Sequence, residues 1–436
     1  YLAFDADGTL LVPFRTWRNT STGAAAAELT DLLGVNIPLR WSIAHLHQAV
    51  LDDEAHVASI ATINTLAGWV HEKLTGRFAL GVGDASGMFP IGTDGQYDRD
   101  RIAAYDTHAA GFLAGRSLTD LLPEVLPAGA DAGTLTAAGA ALLDPTGTLR
   151  PGAVAAPAEG DAGTGMVATN AVSPRTGNVS AGTSIFAMVV LERPLERVHT
   201  EIDLVTTPAG DPVAMVHCNN GASELASFAG LFARFAAASG RSLSTDAVYE
   251  TLLREALEGA ADAGGVLAYN HLSGEPIAGL DEGRPLVVRT PDADFSLANV
   301  MRAQVYGVFA TLAIGMQTLA DEGVALDAMF AHGGVFRTAG VAQRFLAGAL
   351  DAPVTVGDTA AEGGAWGMAV LASFAVARRS APGTQDAAGA VSGRPDASRQ
   401  LTAYLTDHVF AGAASATVDP DPADVAGFAD YLARYR

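Results

Sequence analysis

Three glycine-bearing stretches, one of them carrying a carboxylate, hold most of the chemistry that this sequence could perform. PAEGDAGTG (157–165) sets Asp161 between glycines, where a strand predicted over 151–157 gives way to a helix predicted from Met166. Glycines there let the backbone approach a ligand closely, and a following helix N-terminus favours anions. A carboxylate at such a point can take the proton of an attacking hydroxyl; on local sequence alone, Asp161 serves equally well as a helix cap. The stretch is not GxGxxG and has no acidic partner about 20 residues on, so it is not a dinucleotide fingerprint. GNVSAGTSIF (177–186) places Gly182 and Thr183 in a turn between strands, where amides and a hydroxyl could donate to a phosphate. An ordinary tight hairpin explains that stretch as well when it is taken alone. AHGGVFRTAGVAQRFLAGALDAPV (331–354) reads as strand, Gly333-Gly334, loop, helix, strand. Paired glycines at the C-terminal end of a strand let a flat ring lie against the backbone, although a plain connection has equal claim.

Other residues carry less. His332 before the glycine pair reads as a satisfied core residue. His45 and His47 stand two apart on a helix and face different ways, which argues against a metal shared between them. Asp84 in VGDASGM could line a cleft or form a turn, with the turn the first expectation. Trp17 in FRTWRNT is a stacking surface or core, with core the ordinary expectation. Cys218 reads as a small buried hydrophobe.

Composition narrows the chemistry further. The chain has 436 residues with 26 basic against 48 acidic side chains, a formal charge of −22, which leaves no basic footprint for a nucleic-acid backbone. One cysteine closes no intrachain disulfide, and no zinc-spaced Cys/His cluster surrounds it. No apolar run approaches 18 residues, so no membrane span is expected. The reading is of an acidic protein of a reducing compartment, the cytoplasm. Of the 26 basic residues only Lys73 is a lysine, and it sits on an amphipathic helix (65–75) closing on Gly76. P-loops, protein-kinase-like sites and pyridoxal phosphate enzymes all need a placed lysine. A phosphate chain would therefore be handled by backbone amides, hydroxyls and a carboxylate-bound metal.

The elements that must position these residues mix strand and helix throughout, which favours an α/β architecture. Two short strands about Asp7-Gly8 open the chain, and helices are expected at 22–34, 42–52 (capped by Ser42), 64–75, 99–113 and 136–143. Hairpins follow about Gly182 and about Gly210-Asp211, then helices at 222–239, 246–258 and 297–320, a strand at 327–332, a helix at 339–350, a strand at 353–356 and a helix at 360–377. Residues 380–398 read as a loose linker before a final helix or two, and the apolar helix at 222–238 would support a homodimer. A domain boundary is expected near residue 170.

Taken together and in this order, the three stretches resemble the FGGY family of carbohydrate kinases, over essentially the whole chain. The resemblance implies two ribonuclease-H-like domains of the actin-like ATPase and hexokinase-like fold with a cleft between them, residues 1–170 forming the sugar side with the catalytic base and 171–436 the nucleotide side. It implies Asp161 as the base that deprotonates the sugar hydroxyl. It further implies Gly182 and Thr183 on the phosphates, Gly333, Gly334 and Thr338 on the adenosine, and Trp17 and Phe186 at the substrate. ATP and Mg2+ are the cofactors it implies, a small-molecule sugar the partner, and no residue is assigned as a metal ligand. A loose phosphoryl-transfer transition state suits such a site, since it needs alignment, a metal and a base rather than a lysine. The family's opening Asp-Gly-Thr phosphate motif and its Met-His-Gly-like segment are not found, so the first domain is expected to be incomplete and this chain to have little activity. Ala162 stands where xylulose kinases often carry a polar residue. The substrate expected first is a ketopentose such as xylulose, with L-ribulose, L-fuculose, rhamnulose and glycerol behind it, and a non-catalytic ATP-binding protein as a different class.

Overall fold

The computed structural model describes residues 1–357, 363–380 and 394–436. The chain forms two compact units, neither continuous in sequence: the first takes residues 1–174, 190–214 and 362–411, the second 175–189, 215–361 and 412–436.

In the first unit, helices Gly23–Leu33, Ser42–Leu51 and Arg99–His108 turn their apolar stripes onto a core that includes Leu29, Ile43, Leu46, Phe89 and Tyr105. Two small sheets serve it: Leu2–Phe4 antiparallel with Thr62–Asn64, and Ala79–Gly81 parallel with Glu124–Leu126. The expected hairpin about Asp7-Gly8 contributes one strand and a bridge from Phe4 to Leu10, because Asp5 accepts from the Asp7 and Thr9 amides and holds the loop open. Ser42 is not a cap. Trp41 takes the extended cap conformation, and the Ser42 amide donates to the Gly87 carbonyl instead. Gly76 does close the helix Leu66–Thr75, in the left-handed conformation that suits glycine.

The 157–165 stretch corrects a second expectation. The helix runs Asp161–Ala168, so the glycine-rich residues are its first turns rather than a turn before it. Glycine is a poor helix former, but this helix packs on Gly363–Ser380 at very short range. A side chain on Gly367 would drive into the Thr164 carbonyl, and one on Gly364 would come within 2.8 Å of the Thr164 hydroxyl. Small residues on both helices are what this approach requires. Of the linker expected over 380–398, residues 381–393 lie outside the described residues, and from Arg394 the chain is helical to Tyr404.

Among the described residues of the second unit, neighbouring strands follow the order Ser415–Val418, Val354–Gly357, Ala328–His332, Thr176–Ala181, Ile185–Val190, Pro212–Cys218. The central pair is parallel, with His332 opposite Ser180, and the hairpin beside it sets Ser180 opposite Phe186. Behind it the helix Leu297–Asp321 is buried over most of its length. Its 25 residues include an 18-residue window of mean hydropathy 1.3, long and apolar enough to cross a membrane although it is no unbroken apolar run; 89% of that window is buried inside the protein, and a core helix meets the same test. The helix Ser223–Ala238 leaves Leu231 and Phe235 exposed. Cys218 is fully buried, which pushes its thiol well up.

One ionic network ties this unit's last helix to its core. Asp424, buried at the start of helix Pro422–Tyr435, is paired with the buried Arg302 guanidinium and accepts from Arg344 Nε at 2.5 Å. Arg302 also donates to the Gly259 carbonyl and to Tyr306, and lies 4.9 Å from the Phe345 ring. Asp424→Ala strands Arg302 in the interior, and denaturant unfolding of this unit is expected to show a loss of about 3–5 kcal/mol. Asp421→Asn keeps the cap bond from the Ala423 amide and loses only the exposed pair 4.0 Å from Arg344, so it should cost below about 1 kcal/mol.

Candidate active site

The first unit gathers three carboxyl groups at the start of the helix Asp161–Ala168. Asp161 is the first helical residue; its side chain is exposed, and among the described residues no protein hydrogen bond reaches its carboxylate. Beneath it lies Asp84, on the short helix Val82–Ala85, accepting from the Thr65 hydroxyl at 2.7 Å. Thr65 also caps the helix Leu66–Thr75, accepting from the Gly68 amide. A side chain on Gly160 would come within 3.2 Å of Asp84 Oδ1, so glycine there lets the two segments close on each other. Glu159 is buried and accepts from the Gly83 and Asp84 amides at 3.2 and 2.9 Å. Gly81 and Gly83 leave it room, for a Cβ on Gly81 would stand 2.5 Å from the Glu159 carboxyl carbon.

Crowding three acids has an electrostatic result. Burial first, and then the Asp84 charge, push the Glu159 carboxyl up to about 8 against its two amide donors. Burial also pushes Asp84 up, to about 6; the Thr65 bond opposes this and the Asp161 charge adds to it. The folded protein thus holds protons that the unfolded chain would release, so folding stability falls as pH rises. For Glu159 the contribution is complete below its unfolded value of 4.5 and is lost as pH climbs to about 8. Glu159→Gln keeps the amide contacts without the proton. Thermal midpoints measured across that window should fall more steeply in the wild type than in the variant, and parallel curves would refute a protonated Glu159.

The second unit brings the other two stretches together. The hairpin tip Gly182-Thr183-Ser184 is closed by the Gly182 amide donating to the Ser184 carbonyl at 2.9 Å. It is clamped from behind by the Gly221 and Ala222 amides, which donate to the Thr183 and Gly182 carbonyls. Gly182 and Thr183 remain exposed. Gly333 follows the parallel strand and stands against Ala181, with φ 115° and ψ 172°, a backbone state open to glycine alone. Gly334 opens a tight turn to Arg337, and Thr338 stands half-buried at its end. Two exposed glycine stretches therefore share the C-terminal ends of neighbouring parallel strands, where α/β sheets bind ligands.

The remaining candidates are dispersed. Trp17 lies on an exposed loop of the first unit with the Arg18 guanidinium 4.9 Å from its ring centre. Phe186 belongs to the second unit, half-buried on the strand beside Gly182, its ring 6.4 Å from His217 and nearly parallel to it. Sequence reasoning missed Glu159 and gave Asp84 first place as a turn former over a cleft residue. The available signal was a lone acid in the uncharged run AVAAPAEG, facing glycines at 81 and 83.

Comparison with known proteins follows this geometry. Residues 177–376 match the FGGY family of carbohydrate kinases, C-terminal domain. No curated protein matches the sequence. Among solved structures, xylulose kinase from Rhodospirillum rubrum aligns at a TM-score of 0.73 and 19% identity, covering 100% of this chain and 81% of that one. A kinase from Brucella ovis described as a "xyloylose kinase" aligns at 0.73 and 18%, covering 100% and 81%. Gluconate kinase from Lactobacillus acidophilus aligns at 0.72 and 14%, covering 100% and 80%. At these identities the likeness establishes the fold, that of two ribonuclease-H-like domains.

Proposed function

We propose that this chain, whose residues 177–376 match the C-terminal domain of the FGGY family of carbohydrate kinases, transfers the γ-phosphoryl group of ATP to a sugar hydroxyl, most readily that of a ketopentose such as xylulose, with Asp161 as general base. In this reading the sugar side is residues 1–170 with 190–214 and 362–411, which belong to the same unit, the rest of 171–436 is the nucleotide side, and the reaction belongs in the cytoplasm. The observation that carries it is the contrast among three neighbouring acids. Glu159 and Asp84 are held by amides and a hydroxyl of their own unit, whereas Asp161 presents its carboxylate to solvent on the first turn of a helix. A base must reach the proton it removes, and of the three only Asp161 is free to do so. The buried pair fixes the Gly160 backbone from which the helix starts, and so aims Asp161.

On the nucleotide side, the exposed Thr183 supplies a hydroxyl for the phosphates beside Gly182, which has no side chain to hold them off, and the side-chain-free Gly333-Gly334 supplies a surface for the adenosine. This assignment is supported by their shared position at the strand ends. Mg2+, when bound, would neutralise charge on the transferred phosphoryl oxygens, and no side chain is assigned to hold it. Trp17 and Phe186 are proposed to bound the sugar.

The test is ADP release from ATP by the full-length protein with a panel of xylulose, L-ribulose, L-fuculose, rhamnulose, gluconate and glycerol. Turnover should be fastest with a ketopentose. Turnover fastest with another member would keep the base and replace the substrate, and nucleotide binding without turnover on any would favour a non-catalytic ATP-binding protein.

A further inference from the structure

The first unit holds a second cluster of chemically able side chains that the phosphoryl-transfer reading does not use. Glu28 on helix Gly23–Leu33, His47 on helix Ser42–Leu51 and His108, the last residue of helix Arg99–His108, converge on one point. Glu28 Oε1 lies 2.7 Å from His108 Nε2 and 3.6 Å from His47 Nε2, and one ligand atom from each residue falls within 4.8 Å of the others. His47 is 3% exposed, and neither of its ring nitrogens has a hydrogen-bond partner. Its ring is held edge-on against Tyr105, with centroids 5.7 Å apart. A buried imidazole is rarely left without a partner. Here Nε2 already points at a carboxylate, and Glu28 and His108 are each about one third exposed, which leaves a side open to water.

We propose that Glu28, His47 and His108 form a binding site for a divalent transition-metal ion of the zinc class. Two imidazoles and a carboxylate are a recurrent three-ligand set for zinc, with water in the fourth place, and the absence of thiolates argues against softer ions. At zinc bond lengths of about 2.0–2.2 Å, tetrahedral ligand atoms stand roughly 3.3 Å apart. The observed separations of 2.7 and 3.6 Å bracket that spacing. Burial pulls the His47 pKa down, keeping its ring in the neutral form that ligates. His45, two residues along the same helix, takes no part. Bound metal would tie three helices of the first unit together, so its effect is to be read in affinity and stability rather than in the kinase reaction.

The experiment uses the full untagged chain, stripped with chelator and titrated with Zn2+ by calorimetry, and with Co2+ by visible absorption. The expected result is one ion per chain, micromolar affinity or tighter, cobalt d–d bands of a low-symmetry site, and a raised thermal midpoint with Zn2+. Glu28→Gln and His108→Gln lie at the partly exposed ligands and should fold normally. Each should weaken binding by about a hundredfold or more, since loss of a mere partner of a ligand already costs roughly 10–100-fold. No zinc binding by the wild type, or equal binding by wild type and both variants, would reduce the cluster to a hydrogen-bonded group of side chains.

Discussion

Asp161→Asn should lower sugar phosphorylation by about 10²–10⁴-fold, with nucleotide affinity unchanged and the fold intact. The side chain is exposed and receives no protein hydrogen bond among the described residues, so the substitution removes a base and no structural contact. The loss belongs in kcat, with KM for the sugar nearly constant, because a proton acceptor acts in the transition state rather than in the ground state. Removing its charge also relieves Asp84, which Asp161 helps to push up. The variant should thus be slightly more stable than wild type near neutral pH, a gain that a structural carboxylate would not give. Steady-state kinetics and nucleotide titration decide the matter: retention of more than about a tenth of the rate removes Asp161 from the mechanism.

Gly333→Ala is expected to be nearly as damaging, through the backbone. At φ 115° an L side chain is strained, and its Cβ would strike the Ala181 carbonyl at the foot of the hairpin carrying Gly182 and Thr183. Strain of this kind is worth about 1–3 kcal/mol, and overpacking against main chain adds a similar amount. The strands must separate or the loop must flip, and either displaces both glycine stretches at once. Nucleotide affinity should fall at least about tenfold, along with the melting temperature. Gly334→Ala is the internal control: a Cβ there meets nothing within 4 Å and its φ is not positive. It should fold like wild type, and any affinity it loses reports on the ligand. Equal behaviour of the two variants would show that the Ala181–Gly333 contact does not shape the site.

Much of the second unit was legible because its elements obey local rules. The alternation in GNVSAGTSIFAMVVL gives the observed hairpin, and the helices expected at 297–320 and 339–350 lie within two residues of Leu297–Asp321 and Val341–Leu350. The first unit was harder, because its decisive contacts join residues far apart in sequence. Glu159 gains its meaning from the Gly83 and Asp84 amides some 75 residues away. The helical state of 161–168 depends on the glycines of a helix beginning at Gly363. A glycine-rich segment looks like a turn until its packing partner is known. His45 and His47 stand two apart on one helix, yet His47 finds Glu28 and His108 on two other helices, which no spacing within one helix reveals.

The return of the chain to its first unit matters for how the protein is made. The helix that starts at Asp161 leaves the ribosome about 200 residues before the segment Gly363–Ser380 that lies against it. Until then its close-packed glycine face has nothing to rest on, and the turns bearing the carboxylate lack their tertiary support. Synthesis at about 5–20 residues per second leaves that interval at roughly 10–40 seconds. A fragment ending near residue 174 should accordingly be a poor surrogate for the first unit, and a productive two-piece version would need residues 362–411 supplied in trans.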